Sequence, residues 1–194
     1  MGIPEAARDE VEVRLAGRLA RLRGERGWSL EELSGRTGVS RSTLSRLERG
    51  EISPTAALLN RLCAAYGRTM SRLLAEVEAE SEPPALVRAG EQAVWRDETS
   101  GFTRRSVSPP HPGLRGEVVE GLLRPGADLA YDGPPVPGLE QHLWLLGGAL
   151  EVTVGAAVHA LGPGDCLRFR VWEGTRFRCP GPDPARYALL VVLP

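Results

Sequence analysis

The pattern of hydrophobic positions divides the chain into a helical half and a strand-rich half. Between residues 11 and 79, apolar side chains return every three or four positions, as Leu15, Leu19 and Leu22 do, which is typical of amphipathic helices. From about residue 92 onward, short alternating runs are separated by Gly and Pro, which is typical of a β-sandwich or barrel. The pattern predicts a multidomain α + β chain, with an all-α five-helix domain followed by an all-β domain.

The boundaries of these domains follow from the segment between the two halves. That segment is acidic and contains Pro83 and Pro84, which end a helix and form a semi-rigid spacer. We therefore expect a flexible tail over residues 1–10, a helical domain over 11–79, a linker over 80–91 and a β domain over 92–194.

Capping signals predict a tight turn between the second and third helices. Helix 1 is expected over residues 11–26, with Gly27 as its stop signal. Ser29 and Glu32 have the spacing of a capping box at the start of helix 2. Gly38 supplies the left-handed backbone that a sharp turn needs, and Ser40 caps helix 3. Two capped helices around one glycine turn predict a helix-turn-helix.

Further signals predict helices 4 and 5. Ser53 followed by Pro54 is expected to open helix 4, as a cap and a proline at the first helical position. Gly67 ends that helix, and Thr69 caps helix 5. The backbone amides at helix starts, especially near Ser29 and Ser53, are candidate phosphate-binding groups.

Helix 3 has an apolar face and a polar, arginine-bearing face. Leu44 and Leu47 share the first, while side chains at i, i+3, i+4 and i+7 share the second. Arg41 and Ser42 lie in the first turn, where a recognition helix reaches base edges; arginine there suits a bidentate contact to guanine. Arg49 is better placed for phosphate. The predicted DNA-binding residues are Ser29, Ser40, Arg41, Ser42, Thr43, Ser45, Arg46, Arg49 and Ser53.

The charge distribution supports DNA over a purely structural helical hairpin with a solvated face. Residues 11–72 contain twelve arginines and six glutamates, a net +6. The whole chain carries −1, so the remainder carries −7. A basic N-terminal segment on an otherwise acidic chain indicates that the N-terminal segment is the part that contacts phosphate.

Residues 11–76 resemble the phage-repressor-like (Cro/C1, xenobiotic-response-element) helix-turn-helix family. The matching stretch is SLEELSGRTGVSRSTLSRLERGEISPT, beginning at Ser29. The resemblance implies a dimeric transcription regulator whose turn glycine is Gly38. It also implies that Arg41, Ser42, Ser45 and Arg46 face the groove. Where many members have a phosphate-contacting glutamine at the start of helix 2, this chain has Leu30.

Residues from about 118 to 192 resemble a cupin-type (double-stranded β-helix) barrel. The resemblance is carried by LWLLGGALEVTVG from Leu143 and LGPGDCLRF from Leu161. In cupin enzymes two histidines and a glutamate of the first motif and one histidine of the second bind a metal. Those positions fall near Pro135 and Pro137, on Gln141 and at about Thr175, unless the register shifts by one to Glu140. A catalytic metal needs about three protein ligands, so no metal or other cofactor is expected.

The barrel still offers candidates for a small-molecule pocket. They lie in or near the two motifs and are Gln141, His142, Trp144, Phe169 and Phe177. For the aromatic residues a core position is the alternative, and for the histidine a hydrogen-bonded surface position.

Cysteine usage and the lack of long apolar stretches indicate the compartment. The three cysteines, Cys63, Cys166 and Cys179, form no CxxC pair, which favours free, inert thiols in a reducing environment over redox sensors. No segment approaches the ~20 apolar residues of a membrane span, and the first residues lack a signal-peptide core. A cytoplasmic location is expected.

Together these features predict a DNA-binding transcription regulator, not an enzyme, that reads a palindromic operator as a homodimer. Its barrel is expected to sense a small molecule or to dimerise. Two alternatives stay open: a cupin-type metalloenzyme with an auxiliary helical domain, which the missing ligands disfavour, and an antitoxin-like regulator that binds a protein.

Overall fold

A computed structural model describes residues 5–78, 84–111 and 113–194. Five helices come first: α1 (Glu5–Glu25), α2 (Leu30–Thr37), α3 (Arg41–Glu48), α4 (Ala56–Tyr66) and α5 (Met70–Glu78). Helix α1 begins six residues earlier than expected, so residues 5–10 extend a helix instead of forming a tail. Residues 1–4, and residues 80–83 of the expected linker, lie outside the described part. Among the described residues, none of the helices combines the length and the apolar character of a membrane span.

The caps around the first turn are as predicted. The Ser29 hydroxyl accepts from the Glu32 amide at 3.1 Å, and the Glu32 carboxylate accepts from the Ser29 amide at 2.7 Å. Gly38 ends α2 with φ 67°, a conformation that costs glycine little. The Ser40 hydroxyl then accepts from the Thr43 amide at 3.1 Å. These caps orient α3 relative to α2.

The start of α4 differs from the prediction. The cap is Thr55, whose hydroxyl accepts from the Leu58 amide at 3.2 Å, and the helix begins at Ala56. Ser53 and Pro54 therefore lie before the helix. Further along, Gly67 ends α4 with φ 65°, and the Thr69 hydroxyl caps α5 by accepting from the Arg72 amide at 3.2 Å.

The β half contains ten strands. They are β1 (Val94–Asp97), β2 (Phe102–Ser108), β3 (Gly116–Leu123), β4 (Asp128–Tyr131), β5 (Leu139–Gly147), β6 (Leu150–Val154), β7 (Ala157–Leu161), β8 (Cys166–Val171), β9 (Thr175–Arg178) and β10 (Ala185–Val192). All pairings are antiparallel. One sheet has the order β1-β2-β3-β10-β5-β8 and the other β4-β9-β6-β7.

The eight strands from β3 to β10 form a double-sheet jelly roll. Strands β3, β10, β5 and β8 lie in one sheet and β4, β9, β6 and β7 in the other, so the chain crosses repeatedly between the sheets. This is the architecture of cupins, and the predicted barrel is confirmed. Strands β1 and β2 extend the first sheet beside β3 and lie before the stretch that resembles a cupin.

The helical domain, here called the head, docks on the barrel through α4 and α5. Asp97, which is buried, accepts from the Ala56 amide at 2.8 Å and so binds the N-terminus of α4. The Asn60 amide group donates to the Gly133 carbonyl at 3.0 Å. On α5, Ser71 accepts a hydrogen bond from Arg104 of β2. These polar contacts fix one side of the head and leave its other side exposed.

Candidate nucleic-acid interface and barrel cavity

An open groove runs between the start of α2 and the polar face of α3. Its lining consists of Ser29, Leu30, Glu31, Arg41, Ser42, Ser45, Arg46 and Arg49. Six of these eight are residues that the sequence predicts to bind DNA. The structure therefore brings them together on one surface.

Exposure shows which way this surface faces. The side chains of Arg41, Arg46 and Arg49 are 69%, 54% and 56% exposed, whereas Leu44 and Leu47 on the same helix are 1% and 2% exposed. The leucines anchor α3 in the core of the head, and the arginines project into solvent. The barrel packs on α4 and α5, so the arginine face of α3 is not covered by the chain itself.

The arginines of this groove are paired with nearby glutamates. Arg49 contacts Glu51 at 2.6 Å and also donates to the Ser45 hydroxyl. Arg46 lies 3.6 Å from the same carboxylate, and Arg41 lies 3.7 Å from Glu31. The hydrogen bond from Arg49 lowers the pKa of Glu51. Exposed pairs of this kind are weak, so they hold the guanidinium groups without preventing their transfer to phosphate or base.

The hydroxyl residues at the start of α3 have structural partners as well. The Ser40 hydroxyl lies 2.8 Å from that of Thr43 and 3.0 Å from that of Ser42. Thr43 is half-buried and serves the cap, while Ser42 is exposed.

The predicted phosphate site at the start of α4 is not supported by the structure. Ser53 is not the cap of this helix, and the Ala56 amide already donates to the Asp97 carboxylate. A buried carboxylate at that N-terminus occupies the position an anion would take and repels phosphate. The sequence could not indicate this, because Asp97 belongs to the other domain.

A cavity of about 100 Å³ lies where the barrel meets the head. Of the five predicted pocket residues, Gln141 and Phe177 line it. Arg104, which the sequence analysis did not select, lines it from β2 and is 5% exposed. The head contributes Asn60, Thr69, Met70 and Ser71. Burial alternates along Phe102-Thr-Arg-Arg-Ser106 and places Arg104 on the inner face, but the polar residues at inner positions hid this alternation in the sequence.

The other three predicted pocket residues lie elsewhere. His142 and Trp144 alternate with residues of the inner face and so project outward; Trp144 is 53% exposed. The His142 imidazole is within 2.9 Å of the Glu140 carboxylate. Phe169 is half-buried and packs in a small cluster with Leu139, Val171 and Val191. The cavity is therefore lined by Arg104 and residues of the head, and not by these three predicted residues.

The residues at the cupin metal positions do not fit a metal. Pro135, Gln141 and Thr175 line the cavity, and none of the three is a usual ligand. Glu140, the alternative carboxylate, faces outward toward His142 and Arg170. Within the described ranges, no three His, Cys, Asp or Glu side chains are grouped to hold a metal ion.

The three cysteines are free thiols. Cys63 is buried in the head, and burial raises the pKa of its thiol to about 12, which makes it unreactive. Cys179 is buried and Cys166 is exposed.

Comparisons with known proteins agree with this geometry. Residues 14–76 match the family model of a helix-turn-helix domain. The HTH-type transcriptional regulator SutR of Escherichia coli is 27% identical over 180 residues, which is 93% of this chain and 95% of that protein. An uncharacterised HTH-type transcriptional regulator of Methanothermobacter thermautotrophicus is 46% identical over 46 residues, which is 24% of this chain and 67% of that one.

A solved structure extends the similarity across both domains. The HTH_3 family transcriptional regulator from Vibrio cholerae superposes with a TM-score of 0.76 at 22% identity, covering 96% of this chain and 99% of that one. The whole two-domain fold is therefore shared with that regulator.

Helix α3, exposed and arginine-bearing, lies in a basic head joined to a cupin-type barrel, and this arrangement defines a two-domain DNA-binding protein. The chain belongs to the helix-turn-helix transcription regulators, as the sequence resemblance implied, and it is a DNA-binding transcription regulator.

Proposed function

We propose that the protein reads a two-fold symmetric operator as a homodimer, with one copy of α3 in each half-site. The observation that carries this proposal is the open groove whose arginines are more than half exposed. A dimer of such heads spaces its two recognition helices about 34 Å apart, one turn of DNA.

Within the groove we assign roles by position along α3. Arg41, Ser42, Ser45 and Arg46 are assigned to base edges, and Arg41 to guanine, because an arginine suits a bidentate contact to that base. Arg49, at the far end, and Ser29, at the exposed start of α2, are assigned to phosphate.

We further propose that the barrel is a sensor without catalytic function. The support is the cavity shared by barrel and head, together with the poor fit of its residues to a metal. Exposed apolar side chains on the outer face of the six-stranded sheet, Leu122, Trp144 and Leu190, support a dimer contact between two barrels.

The test is a titration of labelled duplex by fluorescence anisotropy, using a site selected from a random library. Arg41→Ala is expected to weaken binding by 1–3 kcal/mol, about 5- to 150-fold, and to relax base preference at one position. Arg49→Ala is expected to weaken binding to all DNA sequences equally and to reduce the salt dependence of the binding constant. The matched control is Arg124→Ala, which removes an exposed charge from the barrel. If neither Arg41→Ala nor Arg49→Ala differs from Arg124→Ala, α3 is not the reading helix.

A further inference from the structure

Gln141 places an unpaired acceptor on the wall of the cavity between barrel and head. Its side-chain oxygen is buried and, among the described residues, has no hydrogen-bond partner, although the residue lines the cavity. The neighbouring strands explain this, since Gln141 lies opposite Val191 of β10 on one side and Phe169 of β8 on the other, and neither side chain has a donor. A buried acceptor without a donor is unfavourable. An O–H or N–H group that enters the cavity therefore gains a partner there.

The charged groups beside the cavity already compensate each other. Arg104 donates to the Ser106 and Ser71 hydroxyls and has further interactions. The Glu117 carboxyl, 2% exposed, acts on both Arg104 and Ser71. A buried cation and a buried carboxyl group thus lie close together, with a hydroxyl near both. A charged ligand would lose its hydration without gaining a counter-ion of its own, so this arrangement favours an uncharged ligand.

The rest of the lining is mostly apolar and limits the size of the ligand. Val119 and Phe177 of the barrel face Met70 of α5 across the cavity lining. Tyr131 and Tyr187 also line it, and burial raises the pKa of both hydroxyls, so neither adds a charge at neutral pH. The cavity measures about 100 Å³, whereas a cavity of about 150 Å³ holds a benzene molecule. A carbon chain of about five non-hydrogen atoms therefore fits.

We propose that this cavity binds an uncharged short-chain alcohol or primary amide, whose O–H or N–H group donates to Gln141 while its carbon chain lies against the apolar walls. This rests on the proposed sensing function and names its ligand class. The head supplies Asn60, Met70 and Ser71 to the same lining, so a bound ligand contacts barrel and head together. Because these contacts require the docked head, the ligand stabilises docking and restricts the spacing of the two copies of α3. Ligand and operator then change each other's affinity by the same factor.

The ligand test uses the full-length protein and thermal unfolding, since a ligand of the native state raises the midpoint with concentration. The probes are 1-butanol, 2-methyl-1-propanol and propionamide, titrated in the millimolar range. The comparison compounds have the same number of non-hydrogen atoms: methyl propyl ether lacks the donor, and propionate and butylammonium are charged. At least one probe is expected to raise the midpoint and to bind at least tenfold more tightly than all three comparison compounds. Any other order of affinities, or no binding at all, overturns the ligand class.

Variants then test the site itself. Gln141→Leu is expected to reduce the affinity of the best probe to that of the ether and to leave the affinity of the ether unchanged. Gln92→Leu makes the same change outside the lining and is the control. Gln141→Met is the second variant, with the same expectations. Without ligand, both variants at position 141 are expected to unfold at no lower temperature than the parent, because they remove an unpaired buried acceptor. A lower midpoint in both, or tight binding of the probe to both, overturns the site.

Operator affinity, measured with and without the best probe, separates the site from the sensing function. Met70→Ala removes the contribution of α5 to the apolar wall and is expected to weaken both probe binding and the response of operator affinity to the probe. If the probe binds through Gln141 yet operator affinity stays constant in the parent protein, sensing fails while the site stands. If operator affinity responds to the probe equally in Gln141→Leu, the proposed site fails while sensing stands.

Discussion

Gly121 lies beneath the ring of Tyr187 in the barrel interior. A Cβ atom at this glycine would lie 2.2 Å from the Tyr187 ring carbon Cζ. The ring in turn stacks on Phe177, with centroids 6.2 Å apart, and both rings line the cavity. The absence of a side chain at position 121 thus leaves room for the Tyr187 ring to stack on Phe177.

We predict that Gly121→Ala lowers the free energy of unfolding by about 1–3 kcal/mol, because the ring has to move in a packed interior. Gly116→Ala on the same strand is the control, since its nearest contact would be a Leu190 carbon at 3.7 Å. Urea unfolding of both variants measures the difference. Equal stability of the two would show that the Tyr187 ring is not confined.

Glu51 contacts Arg49 and Arg46, so with the roles proposed for these two arginines it would compete with DNA for them. Glu51→Gln is expected to tighten DNA binding about two- to fivefold at low salt, because exposed ion pairs are weak but are lost when phosphate binds. The gain shrinks as salt is added. Glu151→Gln, which breaks a barrel pair with Arg178, is the control. Weaker binding by Glu51→Gln would contradict the assigned roles of Arg46 and Arg49.

Helix α4 illustrates where local signals decide an element and where they do not. The capping box at Ser29, the glycine turn at Gly38 and the cap at Ser40 were predictable, because each signal lies within four residues of the helix it starts or stops. At α4 two hydroxyl residues, Ser53 and Thr55, flank a proline. The choice between them involves Asp97, 41 residues from Ala56.

We predict that Thr55→Ala lowers the free energy of unfolding by about 1 kcal/mol, within the range of about 0.5–2 kcal/mol that is typical of a lost cap. Ser53→Ala, two residues earlier and exposed, is expected to stay within about 0.5 kcal/mol of the parent. Thermal and urea unfolding provide the comparison. A larger loss of unfolding free energy for Ser53→Ala than for Thr55→Ala would show that Ser53 is the cap.

The same distinction separates the groove of α3 from the cavity between barrel and head. The face of α3 was predictable because helical spacing alone puts its polar side chains together. The cavity was only half predictable, because Asn60 and Ser71 come from the head and Arg104 from β2. An arginine on an inner strand position also contradicts the rule of apolar residues inside, so the alternation of β2 was obscured.

At the scale of the whole molecule, acidic side chains of the barrel contact the basic head away from the α3 groove. Asp97 binds the N-terminus of α4, and Asp132 contacts Arg61 at 2.8 Å. Glu117, 2% exposed, lies 3.9 Å from Arg72. The carboxylates of Asp97 and Asp132 thus orient the head while the α3 groove stays exposed.

Glu117 makes this docking dependent on pH. Burial raises the pKa of its carboxyl, although the Ser71 hydroxyl, the guanidinium groups of Arg104 and Arg72, and Thr69 oppose the shift. A raised pKa means that the native state binds more protons than the unfolded state above about pH 4, so ionisation costs stability as pH rises. Glu117→Gln is therefore expected to raise the unfolding midpoint at pH 7 and to lose this advantage near pH 4. A lower midpoint at pH 7 would show that the ionised carboxylate stabilises the docking.

The most direct test of the central claim is hydroxyl-radical footprinting of the full-length protein on its selected duplex. Two protected patches on one face, about one helical turn or 34 Å apart, are expected, and Arg41→Ala is expected to remove the preference of this duplex over unrelated DNA. Uniform protection without a repeat, unchanged by Arg41→Ala, would contradict a dimer that reads DNA through α3.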